Sequence, residues 1–154
     1  MQNDAIMIHR PENPAKAFLR RYRALVIRQE SLQRAIDAAY DRAYSCTSRL
    51  KPVHVQGGGA IYDRIAEDVA RISDETEKLL EAREQANAAL TEILEAIGAV
   101  QDETQKAVLT LRYVEGLEWP DVQEKLGYER TQAYVIHGWA LQVVKRWMID
   151  RGMI

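Results

Sequence analysis

The chain has 154 residues, 47% of them apolar and 29% charged, which suits one average domain or two small modules that share contacts. A net charge of −2 rules out a uniformly basic nucleic-acid binder, so any contact with DNA has to come from a local patch. The lone cysteine, Cys46, excludes an intramolecular disulfide and a multi-thiolate zinc site, and it fits a reducing compartment. One Phe, four Pro and few β-branched runs favour helices over strands.

Residues 1–14 read as a flexible tail. The first ten carry no apolar signal segment, and no window approaches the ~18 uncharged apolar residues of a membrane span. The expectation is a cytoplasmic protein with no membrane contact.

A seven-residue repeat begins at Phe18 and holds for almost forty residues. Phe18, Tyr22, Leu25, Gln29, Leu32, Ile36, Ala39, Ala43, Cys46 and Leu50 are spaced four, three, four, three. A second series runs Ile65, Val69, Ile72, Thr76, Leu79, Arg83, Ala86, Leu90, Ile93, Ile97, Val100. This spacing keeps one stripe on one side of a supercoiled helix. At ~1.5 Å rise per residue each arm is about 50–55 Å long. Residues 1–51 carry a net +5 and residues 60–100 a net −6, so the arms attract one another.

Between the arms, residues 51–60 hold Pro52 and the triplet Gly57-Gly58-Gly59, which stop helices. No strand precedes the glycines and no Lys-Ser/Thr follows them, so a hinge suits them better than a phosphate loop. The simplest fold for residues 15–100 is an antiparallel helical hairpin, coiled-coil-like, with a homodimer through its outer faces left open. Gln29, Thr76 and Arg83 are then polar seam positions that set register.

Residues 101–154 read as a three-helix, helix-turn-helix unit: Thr104–Glu115, Glu118–Leu126 and Glu129–Trp147. Gly116 and Gly127 sit where each turn needs positive φ. Pro120 falls in a first helical turn, where its missing N–H has no partner to lose, and Asp121 complements the dipole there. Ala133, Ile136, Ala140, Val143/Val144 and Trp147 form the inner stripe of the last helix. Arg130, Thr131, Gln132, Tyr134 and His137 lie in its N-terminal half and can hydrogen-bond base edges or phosphates, with a packing role beside Gly138 the preferred reading for His137. An arginine can fork onto guanine and a glutamine onto adenine. Lys145 and Arg146, further along, are candidates for backbone phosphate. A packed cap with a solvated polar face explains the same periodicity.

Three segments carry a resemblance. They are Leu111-Arg112-Tyr113-Val114-Glu115-Gly116-Leu117-Glu118-Trp119, Glu124-Lys125-Leu126-Gly127-Tyr128 and Ile136-His137-Gly138-Trp139-Ala140-Leu141. Together they resemble phage-encoded sigma-70 region 4-like helix-turn-helix proteins. Cys46-Thr47-Ser48-Arg49-Leu50, the glycine triplet and Asp63-Arg64-Ile65-Ala66 extend the resemblance to roughly residues 15–145. It implies a transcription regulator of a phage or prophage, acting in the bacterial host cell and related in role to late-operon activators. The last helix would read double-stranded DNA through Arg130, Thr131, Gln132 and Tyr134, with nearby surfaces touching bacterial RNA polymerase. The chain departs from that pattern in carrying Glu118 and Glu129 at helix starts, Gln123 at a close-packing position and Trp139 where a basic residue is common. These lower the local positive charge, so the expectation is moderate affinity at best, or binding alongside a partner.

The three histidines, with Cys46, reproduce no metal-ligand spacing, so no metal or cofactor is expected. Acidic pairs such as Asp74/Glu75 read as a solvated helix face, and nothing points to an enzyme. Two other classes fit the same layout. One is an adaptor acting through protein contacts, with Tyr134 and Trp139 exposed. The other is a small terminase-like DNA-packaging subunit.

Overall fold

A computed structural model describes residues 12–48 and 59–154, all of it helix and connecting turns with no strand among those residues. The all-α expectation of a long hairpin followed by a helical unit is met. Five α-helices follow one another: α1 Pro14–Ser48, α2 Gly59–Gly98, α3 Glu103–Leu109, α4 Trp119–Leu126 and α5 Arg130–Asp150. A single π-helical turn, Thr110–Val114, continues α3. Residues 1–11 and 49–58 lie outside the described residues, and with them most of the expected tail and hinge, His9, His54 and Leu50. The side chain of Cys46 does too.

The ends of those two expected segments are helical. The Asn13 side-chain Oδ1 accepts a 3.0 Å hydrogen bond from the Ala15 N–H, and Pro14 opens α1. Gly59 and Ala60, assigned to the hinge, are the first residues of α2.

By internal contacts the chain divides into two compact units. One comprises residues 22–48, the C-terminal part of α1, and residues 59–90, the N-terminal part of α2. There the Gln29 side chain donates to the Ala82 carbonyl at 3.5 Å, and Arg42 pairs with Asp68 at 3.4 Å. Partner numbers fall along α2 as they rise along α1, so the helices run antiparallel. The α1 stripe lies where the repeat puts it, with Ile36 and Ala39 buried and Tyr22, Leu25, Gln29, Leu32 and Ala43 half-buried.

The α2 stripe differs. Ile65, Ile72, Leu79 and Ala86 face inward as expected, but Val69, Thr76 and Arg83 are exposed. Their places in the seam belong to the residues one earlier: Asp68 and Ala82 are buried and Glu75 is half-buried. The seam therefore runs three, four, three, four from Ile65, one step out of phase with the expected series at every second position. Alanine at 82, 86 and 89 leaves room for α1 to approach closely, which a larger residue there would forbid. Asp68 tolerates burial because Arg42 pairs with it.

The other unit comprises, among the described residues, 12–21 and 91–154. Its core draws Ala15, Phe18 and Leu19 from α1 and Ile93, Ala96, Ile97 and Val100 from α2 and the turn after it. The C-terminal helices add Val108, Leu109, Val122, Ala133, Ala140 and Val144. The Phe18 ring meets Trp147 at 5.8 Å between centroids. Arg151 caps this contact, with its guanidinium 4.4 Å from the Trp147 ring centre and an ion pair to Glu95 at 3.0 Å. The α1 and α2 ends also share the Arg21–Glu92 ion pair.

Candidate nucleic-acid interface

The start of the C-terminal helical array is fixed by Asp102. Its carboxylate accepts from the Gln105 N–H at 2.8 Å, so α3 starts at Glu103, one residue before the expected Thr104. The helix does not then run uniformly to Glu115. At Thr110 it widens: the Glu115 N–H reaches back five residues to the Thr110 carbonyl at 3.0 Å. Gly116 (φ 76°) ends it.

Arg112, which the sequence reading passed over, fastens the following loop. Its Nη1 donates to the Leu117 carbonyl at 2.6 Å and lies 3.4 Å from Glu118 Oε2, while the guanidinium stands 5.5 Å from the centre of the Trp119 ring. Glu118, held by this ion pair, gives no side-chain cap to α4, and Glu129 gives none to α5. Acidic side chains at those two starts thus complement the helix dipoles by charge alone. Between α4 and α5, Gly127 adopts φ 68° and its N–H bonds to the Gln123 carbonyl, giving a three-residue turn.

Helix α5 buries Ala133, Ile136, His137, Ala140, Leu141, Val144 and Met148. Val143 and Trp147, placed on the inner stripe by periodicity, are half-buried. Arg130, Thr131 and Gln132 are exposed on its first turn, and among the described residues Arg130 makes no ion pair. Its guanidinium lies 5.6 Å from the Tyr134 ring centre, and that ring stacks on Trp119 at 4.5 Å. Tyr134 is therefore a platform between two helices that orients Arg130. The stack Trp119–Tyr134–Arg130 was not visible in the spacing of any one helix.

His137 is buried, which fits the packing role and corrects its place among the candidate DNA contacts. Its Nε2 shares a 2.8 Å hydrogen bond with Tyr113 Oη inside the unit, with Trp119 edge-on at 4.9 Å. The π-helical turn is what carries Tyr113 into the core. Burial pushes the His137 imidazole down to about 4, assisted by the positive charges of Lys16, Arg112 and Arg20. Burial likewise pushes the Tyr113 phenol up to about 12. Both groups are neutral near pH 7, and the pair acts as a bolt across the unit.

Lys145 is half-buried, and Arg146 lies 3.7 Å from Asp150. Both are more than four turns from Arg130, about 22 Å along the helix axis.

Beside the exposed first turn lies an open groove of about 570 Å3 between the start of α3 and α5, with Thr104, Gln105, Tyr128, Gln132, Val135 and Trp139 among its lining. Trp139 is 60% exposed. Acidic groups border this side of the unit: Asp102 and Glu129 line the groove itself. Among the described residues no three His, Cys, Asp or Glu side chains come together as a metal site, and no helix is long and apolar enough to cross a membrane. Compared with family models, curated proteins and solved structures, the chain matches none.

Proposed function

We propose that this protein binds double-stranded DNA through the first turn of α5 and regulates transcription, acting in a phage or prophage setting as its sequence resemblance implies. The observation that supports this most is local. A short helix, a tight glycine turn and a longer helix leave Arg130, Thr131 and Gln132 exposed together, with Arg130 oriented on an aromatic platform and unpaired to any acid among the described residues. Those are side-chain types that read base edges, and an α-helix fits the major groove.

Phosphate neutralisation on this surface is sparse. Glu129 is exposed at the start of α5, Asp121 and Glu124 are exposed on α4, and Lys125 is paired with Glu115 at 3.4 Å. Affinity then rests on base readout and on a partner, which the resemblance identifies as bacterial RNA polymerase. Replacing Arg130 or Gln132 with Ala should weaken binding to a preferred duplex by about 1–3 kcal/mol, while binding to scrambled duplex changes much less. Titration of labelled duplexes checks this; equal losses on both duplexes would refute base readout by α5.

A second reading has one observation in its favour. Trp139 and Val135 are exposed beside the groove between α3 and α5, which suits an adaptor that binds a protein segment. Trp139→Ala separates the two readings, since it should leave DNA selectivity intact and abolish capture of a protein partner.

A further inference from the structure

In the unit of residues 22–48 and 59–90, α2 turns outward a lane that is free of charge from Tyr62 to Leu80. Along α2, Tyr62, Ala66, Val69, Ser73, Thr76 and Leu80 recur at intervals of four, three, four, three, four, and all are exposed. With about 100° between successive residues, this lane lies roughly a quarter turn from the buried seam. Asp68 and Glu75 lie in the seam and Arg83 takes the next step of the lane, and the other charged residues of α2 in this unit lie on the opposite flank and the back. On α1, Tyr40 and Tyr44 fall to the same rotational side of that helix's own seam. In an antiparallel pair, lanes rotated in the same sense from the seam emerge on the same broad face. Tyr40, Tyr44, Tyr62, Val69 and Leu80 are between 56 and 78% exposed. A second heptad lane, in a chain with 29% charged residues, is the pattern of a helix that packs on both sides.

We infer that this face binds the same face of a second copy of the chain, forming a four-helix dimer. Three considerations select a second copy. A two-fold interface places each patch against itself, so it demands a surface without like charges in opposition; the α2 lane is uncharged from Tyr62 to Leu80, and the acids of the α1 lane, Glu30 and Asp37, stand level with Leu80 and Ser73. The two helices of the unit run about 40 Å side by side and span about 20 Å, close to the ~800 Å2 per partner of a standard interface. The edges of the face are complementary when the two-fold axis lies along the helices, which sets α1 of one copy against α2 of the other. In the observed antiparallel register Arg34 stands level with Glu77, and Arg23 lies within one turn of the level of Glu84. Glu30, Asp37 and Asp41 alternate with the arginines on that side of α1. Within this unit α1 carries four Arg and three acids and α2 four bases and eight acids, so the crossed pairing is attractive overall.

Sedimentation equilibrium of the full chain, without nucleic acid, tests this directly. Wild type should be a dimer at low micromolar concentration. V69E/L80E should raise the dimer dissociation constant by about 100-fold, because both charges would be buried at the interface. Its far-UV circular dichroism should be unchanged, since both residues are exposed in one chain. A35E/Q85E, on the other flank of the hairpin, should remain dimeric. R34E should weaken the dimer, and adding E77R should restore it. A monomeric wild type, a dimer indifferent to V69E/L80E, or disruption by A35E/Q85E would each overturn the inference. None of these outcomes depends on whether α5 reads DNA.

Discussion

Burying an imidazole against a phenol fixes both in their neutral forms, and the consequence is a pH dependence of stability. His137 titrates at about 4 in the folded chain, against an ordinary 6.5. Between these values the unfolded chain binds more protons, so the His137 contribution is complete above pH 6.5, declines as pH falls and is gone below about 4. The loss amounts to up to about 3 kcal/mol. His137→Gln keeps a hydrogen-bonding group beside Tyr113 but does not titrate, so chemical denaturation at pH 7 and pH 4.5 should show a smaller difference for the variant than for wild type. An identical difference would mean that the imidazole is solvated in the folded protein.

Gly127 gives a second residue-scale test. No atom within 4 Å would meet an added Cβ there, yet φ is +68°. Gly127→Ala should therefore lower stability by about 1–2 kcal/mol through backbone strain alone, read as a shift in denaturation midpoint. The turn glycines were legible in the sequence because positive φ leaves a residue-type signature. The direction of His137 was not, because it depends on Tyr113, which lies 24 residues away and is rotated inward by a turn whose hydrogen bonding no local propensity announces.

At the scale of elements, the informative case is α2. Its first heptad positions follow from periodicity, but the alternate ones go to small or paired side chains, while Val69 and Arg83 face out. A stripe chosen by hydrophobicity favours Val69 over Asp68. The seam selects by volume and by the availability of Arg42, and both are properties of the partner helix. Substitutions distinguish the two registers. Ala82→Leu should destabilise by about 1–3 kcal/mol through overpacking, whereas Arg83→Ala should change stability by no more than about 0.5 kcal/mol. The reverse ranking in thermal or urea unfolding would restore the larger-residue register. The C-terminal helices were placed to within a few residues by Gly116, Pro120 and Gly127. The misplaced ends have local causes: the Asp102 cap begins α3 one residue early, and α5 continues to Asp150 beyond Trp147.

For the whole molecule, a net charge of −2 and acids near the candidate interface make a strong prediction about salt. With Arg130, Lys145 and Arg146 as the available phosphate contacts, about three phosphates are neutralised at most. The logarithm of the DNA association constant should then fall with the logarithm of salt concentration at a slope of about −2 to −3. Glu129→Gln should raise affinity for all duplexes alike, because it removes a charge beside the helix N-terminus without adding readout. A slope near zero for the wild type would show that phosphates are not contacted.

The central claim is that the exposed first turn of α5 carries sequence information. Selecting bound molecules from a pool of random duplex DNA, with and without bacterial RNA polymerase, reads this most directly. A short enriched motif, lost with Arg130→Ala together with Gln132→Ala, is the predicted result in at least the polymerase arm. Recovery of unenriched sequence in both arms, from protein whose helical content and melting are native, would contradict it.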